Sequence, residues 1–299
     1  MRPGKDFYLI TFYKSTGFRK VKDIIEAFIS RMDHQPGVFP IADISDSISR
    51  SLTRAKEERL KTLVLQYPIP RHIAIIMDGN RRYASDIGKT SMEGHLSGRD
   101  KLEDVLEWCL DLGIKILTVY AFSTENFKRS KDEVDTLMSI FQENFLKIAS
   151  DDRIHKNGIR ITVLGQRELL NDSLRDAIEK AEDASRDYDK YFFNLAVAYG
   201  GREELLSAIR DIVSDVQAGK ITQDDIDEPL VSNYLYTASF PDPDLVLRTS
   251  GEVRISNFLL WQLAYSELYF TDIYWPGLTF TEFLKAIRSY QLRKRRFGE

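Results

Sequence analysis

The stretch His72-Ile73-Ala74-Ile75-Ile76-Met77-Asp78-Gly79-Asn80-Arg81-Arg82 is an apolar run that ends abruptly in a polar turn. No polar residue alternates with the aliphatic ones, so the run reads as a strand buried on both faces, the habit of a parallel sheet covered by helices. Five similar runs follow, at 116–122, 159–164, 192–198, 245–247 and 268–270. Helical spacing fills the intervals near 95–112, 131–150, 172–187, 202–217 and 280–296. Strands alternating with helices predict an α/β fold with a mainly parallel central sheet. Upstream, 21–29 and 44–65 keep helical spacing, and Tyr67-Pro68-Ile69-Pro70 punctuates the chain. The expected organisation is therefore a helical extension over 1–69 and a catalytic domain over 70–299.

Composition narrows the function. The chain has 299 residues, 43% of them hydrophobic and 29% charged, which is globular composition. A net charge of −4 lacks the basic footprint of a nucleic-acid binder, so none is expected as a partner. The single Cys109 cannot form an internal disulfide, and the four histidines show no zinc spacing. No segment reaches the roughly 20 apolar residues of a membrane span, and the N-terminus lacks signal-peptide features, so a cytoplasmic location is expected. Residues 1–22 nonetheless interleave basic residues with Phe7, Tyr8, Phe12, Tyr13 and Phe18. That pattern suits either a solvated or partner-packed arm or peripheral contact with an anionic membrane.

In a parallel sheet, ligands bind beyond the carboxyl ends of the strands. After the first strand, Asp78-Gly79-Asn80-Arg81-Arg82-Tyr83 combines a carboxylate, a glycine and two arginines at an expected helix start. Free N–H groups and Arg82 can cradle a phosphate there, and Asp78 is compatible with that anion if Mg²⁺ lies between them. A plain helix-capping Asp is the alternative. After the second strand, Ser123-Thr124-Glu125-Asn126-Phe127-Lys128-Arg129 offers hydroxyls, a carboxamide, an aromatic wall and a cation, or simply a turn cluster. After the fifth, Arg248-Thr249-Ser250-Gly251-Glu252-Val253-Arg254-Ile255-Ser256 reads as a phosphate clamp or as a solvated arginine pair, and Glu267 is a candidate second magnesium carboxylate. There is no GxxxxGK[ST] loop and no GxSxG elbow, and Tyr199-Gly200-Gly201-Arg202 is no dinucleotide fingerprint.

These blocks, with Tyr120-Ala121-Phe122-Ser123-Thr124-Glu125-Asn126 and the run from Arg248 to Trp261, resemble the cis-prenyltransferase family over roughly three quarters of the chain, from Pro70 to Gly298. The resemblance implies repeated condensation of isopentenyl diphosphate onto an allylic prenyl diphosphate primer, with cis double bonds, Mg²⁺ and a long polyprenyl diphosphate product. It implies Asp78 as the magnesium-linked aspartate and Asn126 as an aid to proton removal. Gly79, Asn80, Arg81, Arg82, Tyr83, Ser91 and His95 would surround the allylic diphosphate. Ser123, Thr124, Glu125, Phe127 and Arg129 would belong to the second motif, and Arg248, Arg254, Ile255 and Ser256 would hold isopentenyl diphosphate. Leu96, Leu102, Val105, Leu106, Leu137, Ile140, Phe141 and Phe145 would line the chain's tunnel or simply form core. A homodimer is also implied, with Arg296-Phe297-Gly298 near its interface. Arg81, Tyr83, Phe127 and Ser91 depart from the usual Gly, Trp, Trp and Arg, and the N-terminal extension exceeds the compact bacterial form without a counterpart there. A non-catalytic subunit, or transfer to another acceptor, is the rival reading.

Overall fold

The structure, a computed structural model, describes residues 41–293. The chain divides into two units, 1–59 and 60–299, and the first helix, α1 (Ile41–Leu65), runs across that division. The second unit contains all that follows. Its elements are β1 (His72–Ile76), α2 (Asn80–Asp86), α3 (Ser91–Leu112), β2 (Ile116–Ser123), α4 (Lys131–Ile148), α5 (Asp152–Asn157) and β3 (Ile159–Leu164). Then come α6 (Asp172–Ser185), β4 (Tyr191–Tyr199), α7 (Gly201–Gln217), α8 (Glu228–Asn233), β5 (Leu245–Arg248), β6 (Glu267–Phe270) and α9 (Phe280–Leu292).

All six strands are parallel, in the order β3-β4-β2-β1-β5-β6. The expected strands agree with these within two residues at each end. The short helices α5 and α8 have too few periodic positions to be read from sequence, and the expected helix at 21–29, the arm 1–22 and Arg296-Phe297-Gly298 lie outside the described residues.

Alternation along β1 builds two cores. Ile73 and Ile75 join Leu117, Val119 and Trp275 on one face, while Ala74 and Ile76 join Val246, Ala196 and Phe258 on the other. One polar ladder crosses the buried sheet. The Thr118 hydroxyl donates to His72 Nε2 at 2.8 Å and accepts from Asn194 Nδ2 at 3.2 Å. His72 Nδ1 is 2.7 Å from the Pro241 carbonyl, and burial lowers the imidazole pKa to about 4.

β1 sits where the strand order reverses, with β2 on one side and β5 on the other, which is where a crevice opens at the carboxyl ends of an α/β sheet. Ile76 is level with Tyr120 of β2 and Arg248 of β5, so all three strands empty into the same space. α3 closes one side of it. A Thr90–Glu93 capping box starts that helix and Gly113 ends it with φ 75°. Gly94 and Gly98 let it press onto the first turn of α2: a Cβ would come within 2.4 Å of the Asn80 carbonyl and 2.5 Å of Asn80 Oδ1.

Candidate active site

Asp78 leaves β1 with its backbone tightly held. Its N–H donates to Thr249 Oγ1 at 3.0 Å, and the Thr249 hydroxyl donates to its carbonyl at 2.7 Å. The same carbonyl accepts from Trp275 N–H at 3.0 Å. Gly79 then turns the chain into α2 with φ 105°, in a gap where a Cβ would meet the Tyr274 ring at 2.8 Å. With backbone and turn both fixed, the carboxylate is aimed at the crevice. One oxygen accepts from Arg248 Nη2 at 2.9 Å and the other faces Arg82 Nη2 at 3.5 Å.

Arg248 is only 4% exposed and organises the opposite wall. Its Nη1 donates to Ser256 Oγ at 2.7 Å and to the Arg254 carbonyl at 2.5 Å, which folds the 249–256 loop around the guanidinium. Glu252 bridges Arg254 (2.5 Å) and Arg82 (3.2 Å). Across the pocket, Glu133 on α4 gathers Arg129 at 3.0 Å, His95 Nε2 at 3.6 Å and Arg81 at 3.8 Å. Burial, reinforced by the Arg129 charge, holds the His95 imidazole below its ordinary pKa despite that carboxylate.

An open cavity of about 670 Å³ results, lined by Asp78, Gly79, Asn80, Arg81, Arg82, Ser91, His95, Arg129 and Arg254 among others. Six buried side-chain polar atoms lack a partner among the described residues; Asn80 Oδ1 and His95 Nε2 are on residues that line this cavity, and Arg248 Nε and Ser250 Oγ are on residues packed against Asp78 and Gly79. Buried polar atoms are nearly always paired, so this concentration marks a place that expects a polar ligand. Five positively charged arginines around it (Arg81, Arg82, Arg129, Arg248, Arg254) suit a multiply charged anion.

A second cavity, about 250 Å³, adjoins the first through Met77, Asn80 and His95. Leu102, Leu106 and Leu110 of α3 face Leu137, Ile140, Phe141 and Phe145 of α4 across it, and Phe193 and Leu195 supply the sheet side. Its rim carries Arg153, which pairs with Glu103 (3.0 Å), Glu107 (3.4 Å) and Asp151 (2.7 Å). A charged cradle and an apolar space thus share a wall of Met77, Asn80 and His95.

Several expected residues lie elsewhere. Glu267 begins β6, level with Leu245 and so with Ile73, several rungs below Asp78 at the amino end of the sheet. It pairs with Arg293 at 2.6 Å and is not brought to the Asp78 carboxylate within this chain; parallel register puts the two at opposite strand ends. Tyr83 packs by Gly277, Phe127 sits edge-on to Phe122 at 4.9 Å, and Ile255 packs on the Tyr199–Phe258 core. Asn126 accepts from the Ser123 N–H at 3.0 Å in a reciprocal cap and does not line the pocket. Thr124 and Glu125 face the Gly200 turn and Asn257. Of the expected tunnel residues, Val105 is fully buried core and Leu96 lies off the cavity.

The profile of a protein family described as "Putative undecaprenyl diphosphate synthase" matches residues 76–298. The chain belongs to this family of cis-prenyltransferases. A tritrans,polycis-undecaprenyl-diphosphate synthase (geranylgeranyl-diphosphate specific) of Pyrococcus abyssi is 52% identical, over 89% of this chain and 98% of the relative. One of the same description from Thermoplasma volcanium is 52% identical over 85% and 99%. Among solved structures, lavandulyl diphosphate synthase from Lavandula x intermedia, in complex with dimethylallyl diphosphate, gives a TM-score of 0.73 at 40% identity over 77% of this chain and 99% of that one. A probable undecaprenyl diphosphate synthase from Campylobacter jejuni gives 0.63 at 32% identity, covering 78% and 100%. The Pyrococcus match is too long to be confined to 70–299, so part of the N-terminal extension does have a counterpart among relatives.

The chain is a prenyltransferase, and the donor set fits what a cis-prenyltransferase asks of magnesium. Mg²⁺ characteristically takes one or two carboxylates together with substrate phosphates, and the Asp78 carboxylate faces the anion pocket at the strand end. Thr249, which anchors Asp78, stands in the clamp stretch without a role of its own in the sequence, and Glu133, which gathers three cationic or titratable groups, lies outside every motif. Glu252 also stands in the clamp stretch without a role. Glu252 could have been singled out as a carboxylate between two clamp arginines; Glu133 reads only as a helix-start acid.

Proposed function

We propose that this prenyltransferase carries out magnesium-dependent, sequential cis-condensation of isopentenyl diphosphate onto an allylic prenyl diphosphate, making a long polyprenyl diphosphate of the undecaprenyl type that serves as a glycosyl-carrier lipid precursor. The observation that carries the reading is the shared wall of the two cavities. A diphosphate held by Asn80, Arg81, Arg82 and the free N–H groups of α2 has its hydrocarbon tail beside Met77 and His95, at the mouth of the apolar space. In each round the allylic carbon–oxygen bond breaks, the isopentenyl double bond attacks that carbon, and a proton is lost next to the new bond; diphosphate and a proton are released. Arg254 and Ser256 hold the isopentenyl diphosphate in line, a proximity contribution worth several kcal/mol. Arg82 and Arg129 neutralise the charge that builds on the leaving group. Bound magnesium would be held by Asp78 and the diphosphate oxygens, and supplies further neutralisation of the leaving group. Asn126 supports the reaction from the Ser123 turn by holding the end of β2.

The relatives described as geranylgeranyl-diphosphate specific favour geranylgeranyl diphosphate as the primer here, with Ser91 at the pocket edge as the residue where primer choice departs from the wider family. A homodimer is supported by Leu206, Ile209 and Val213, which form an exposed apolar stripe along α7. No helix of the described residues is long and apolar enough to cross a membrane. The basic, aromatic arm 1–22 and an insoluble product favour peripheral membrane contact from the cytoplasmic side. The division of labour is an extension over 1–69 and chemistry over 70–299.

The deciding experiment incubates the protein with Mg²⁺, labelled isopentenyl diphosphate and dimethylallyl, geranyl, farnesyl or geranylgeranyl diphosphate, and sizes the hydrolysed products. A ladder reaching a long prenol, strongest with the geranylgeranyl primer and lost with chelator, is the expected result. No incorporation with any primer would transfer the reading to a non-catalytic subunit. A single irregular addition would transfer it to another acceptor.

A further inference from the structure

The Tyr199-Gly200-Gly201-Arg202 block touches neither cavity, yet the structure gives it a partner. Asn257 follows the clamp residue Ser256, and both adopt left-handed backbone, φ 62° and 49°. The Asn257 side chain satisfies three groups from two other strand ends. Its Oδ1 accepts from the Arg202 N–H at 2.9 Å, and its Nδ2 donates to Glu125 Oε1 at 3.0 Å and Glu203 Oε2 at 3.1 Å. Its carbonyl accepts from the Gly201 N–H at 2.7 Å. The glycine pair provides the clearance. A Cβ at Gly200 would lie 2.2 Å from Glu203 Oε2 and 2.8 Å from Asn257 Nδ2, and one at Gly201 would lie 2.7 Å from Leu260 Cγ.

We propose that Asn257 is a positioning residue that locks the Arg254–Ser256 clamp to the ends of β2 and β4, with Gly200 and Gly201 as the space it needs. This rests on the reading of that clamp as the isopentenyl diphosphate site. The physical case is the left-handed backbone. Such residues cost of order 1–3 kcal/mol and persist only where the surroundings over-determine them; asparagine is among the side chains that tolerate the conformation and can also bond locally. One amide standing between two carboxylates is a donor that cannot be exchanged for an acceptor. The first half of the loop is tied to β1 and β6 by the Thr249–Asp78 bonds and by the Ser250 and Gly251 N–H groups, which donate to the Ile273 and Thr271 carbonyls. Its second half folds onto Arg248 through the Arg254 carbonyl and Ser256, and Asn257 is the tie from there to the ends of β2 and β4.

Three variants separate backbone from side chain. Asn257→Gly keeps the left-handed turn and removes the amide. Asn257→Asp keeps the shape and places a third carboxylate beside Glu125 and Glu203. Asn257→Asp with Glu203→Gln returns a donor opposite the new acid. The expected result is a KM for isopentenyl diphosphate raised roughly tenfold in the glycine variant, as for loss of hydrogen bonds to charged groups. The rise should be larger in the aspartate variant and smaller again in the double variant, with the primer KM nearly constant throughout. Melting temperature is recorded for each. Loss of melting temperature with an unchanged isopentenyl diphosphate KM would reduce Asn257 to a structural residue, as would an aspartate variant no worse than the glycine one. Should the unaltered protein incorporate nothing, the reading of the clamp fails, and binding of inorganic diphosphate by calorimetry decides the positioning claim without turnover. Equal affinities across the set would overturn it.

Discussion

The anion pocket above β1 and the cavity between α3 and α4 share Met77, Asn80 and His95 but are built in opposite ways. The pocket is made of strand-end turns and the first turns of α2 and α3. The five non-glycine residues with positive φ among the described residues do not line it: Ser250, Ser256, Asn257 and Leu259 lie in the stretch after β5, and Ala198 lies near the end of β4. Two orphaned polar atoms, Asn80 Oδ1 and His95 Nε2, are on residues that line the pocket. The cavity is made of two regular helices and the sheet, with leucine and phenylalanine side chains at helical spacing and charge only at its rim. Chemistry on a diphosphate requires preorganised donors at fixed points, which strand-end turns and helix starts tied to a rigid sheet provide. A hydrocarbon chain requires only dry, adaptable walls, which amphipathic helices supply.

That contrast is sharpest at Asp78. Asp78→Ala is expected to lower kcat by about a thousandfold or more, with an unchanged far-ultraviolet spectrum, because a charge at the leaving group is worth several kcal/mol. A near-normal rate in saturating magnesium would break the assignment. Arg254→Ala is next. It should raise the isopentenyl diphosphate KM by about tenfold to a hundredfold and the primer KM far less; the opposite order would exchange the two diphosphate positions.

On the cavity side the effect should fall on product distribution instead of rate. Leu102→Trp, on the cavity wall, is expected to shorten the product at a stability cost of roughly 1–3 kcal/mol. Unaltered product lengths would show that the chain runs elsewhere. Arg153→Ala cuts a rim network whose members are largely exposed, so the stability loss should be at most about 1 kcal/mol. A shift toward longer products at that small cost would identify the rim as the cavity's far end.

The sheet beneath both compartments has its own test. His72 is neutral in the folded protein, with a pKa near 4 against 6.5 unfolded. Below pH 6.5 the unfolded chain binds the proton and the folded one does not, so stability is complete above that pH and falls between 6.5 and 4. The loss is about 3 kcal/mol by pH 4. Thermal melts across that window should show it, and His72→Gln should flatten that part of the profile.

How much was legible in advance follows from the range of the forces involved. The parallel sheet was readable because runs such as 72–77 and 159–164 bury both faces of a strand, a local property of consecutive side chains. The cradle was readable for the same reason: Asp78 to Arg82 are contiguous, and a strand end followed by a helix start fixes their geometry locally. The position of Glu267 was not legible because it depends on strand register, which only the packed sheet sets; parallel pairing with β5 puts it at the amino ends of this chain's sheet, beside Arg293. Phe127, Tyr83 and Ile255 share motifs with pocket residues, yet a turn of one residue aims a side chain at core instead of solvent. The chain alone determined the sheet, the order of its strand-end motifs and the anionic character of what they bind. The tertiary structure decided which of those residues meet, joining Asp78 to Arg248 and Asn257 to Glu125 and Glu203 across long stretches of sequence. Such contacts are made by strand order and register, and no local pattern encodes either.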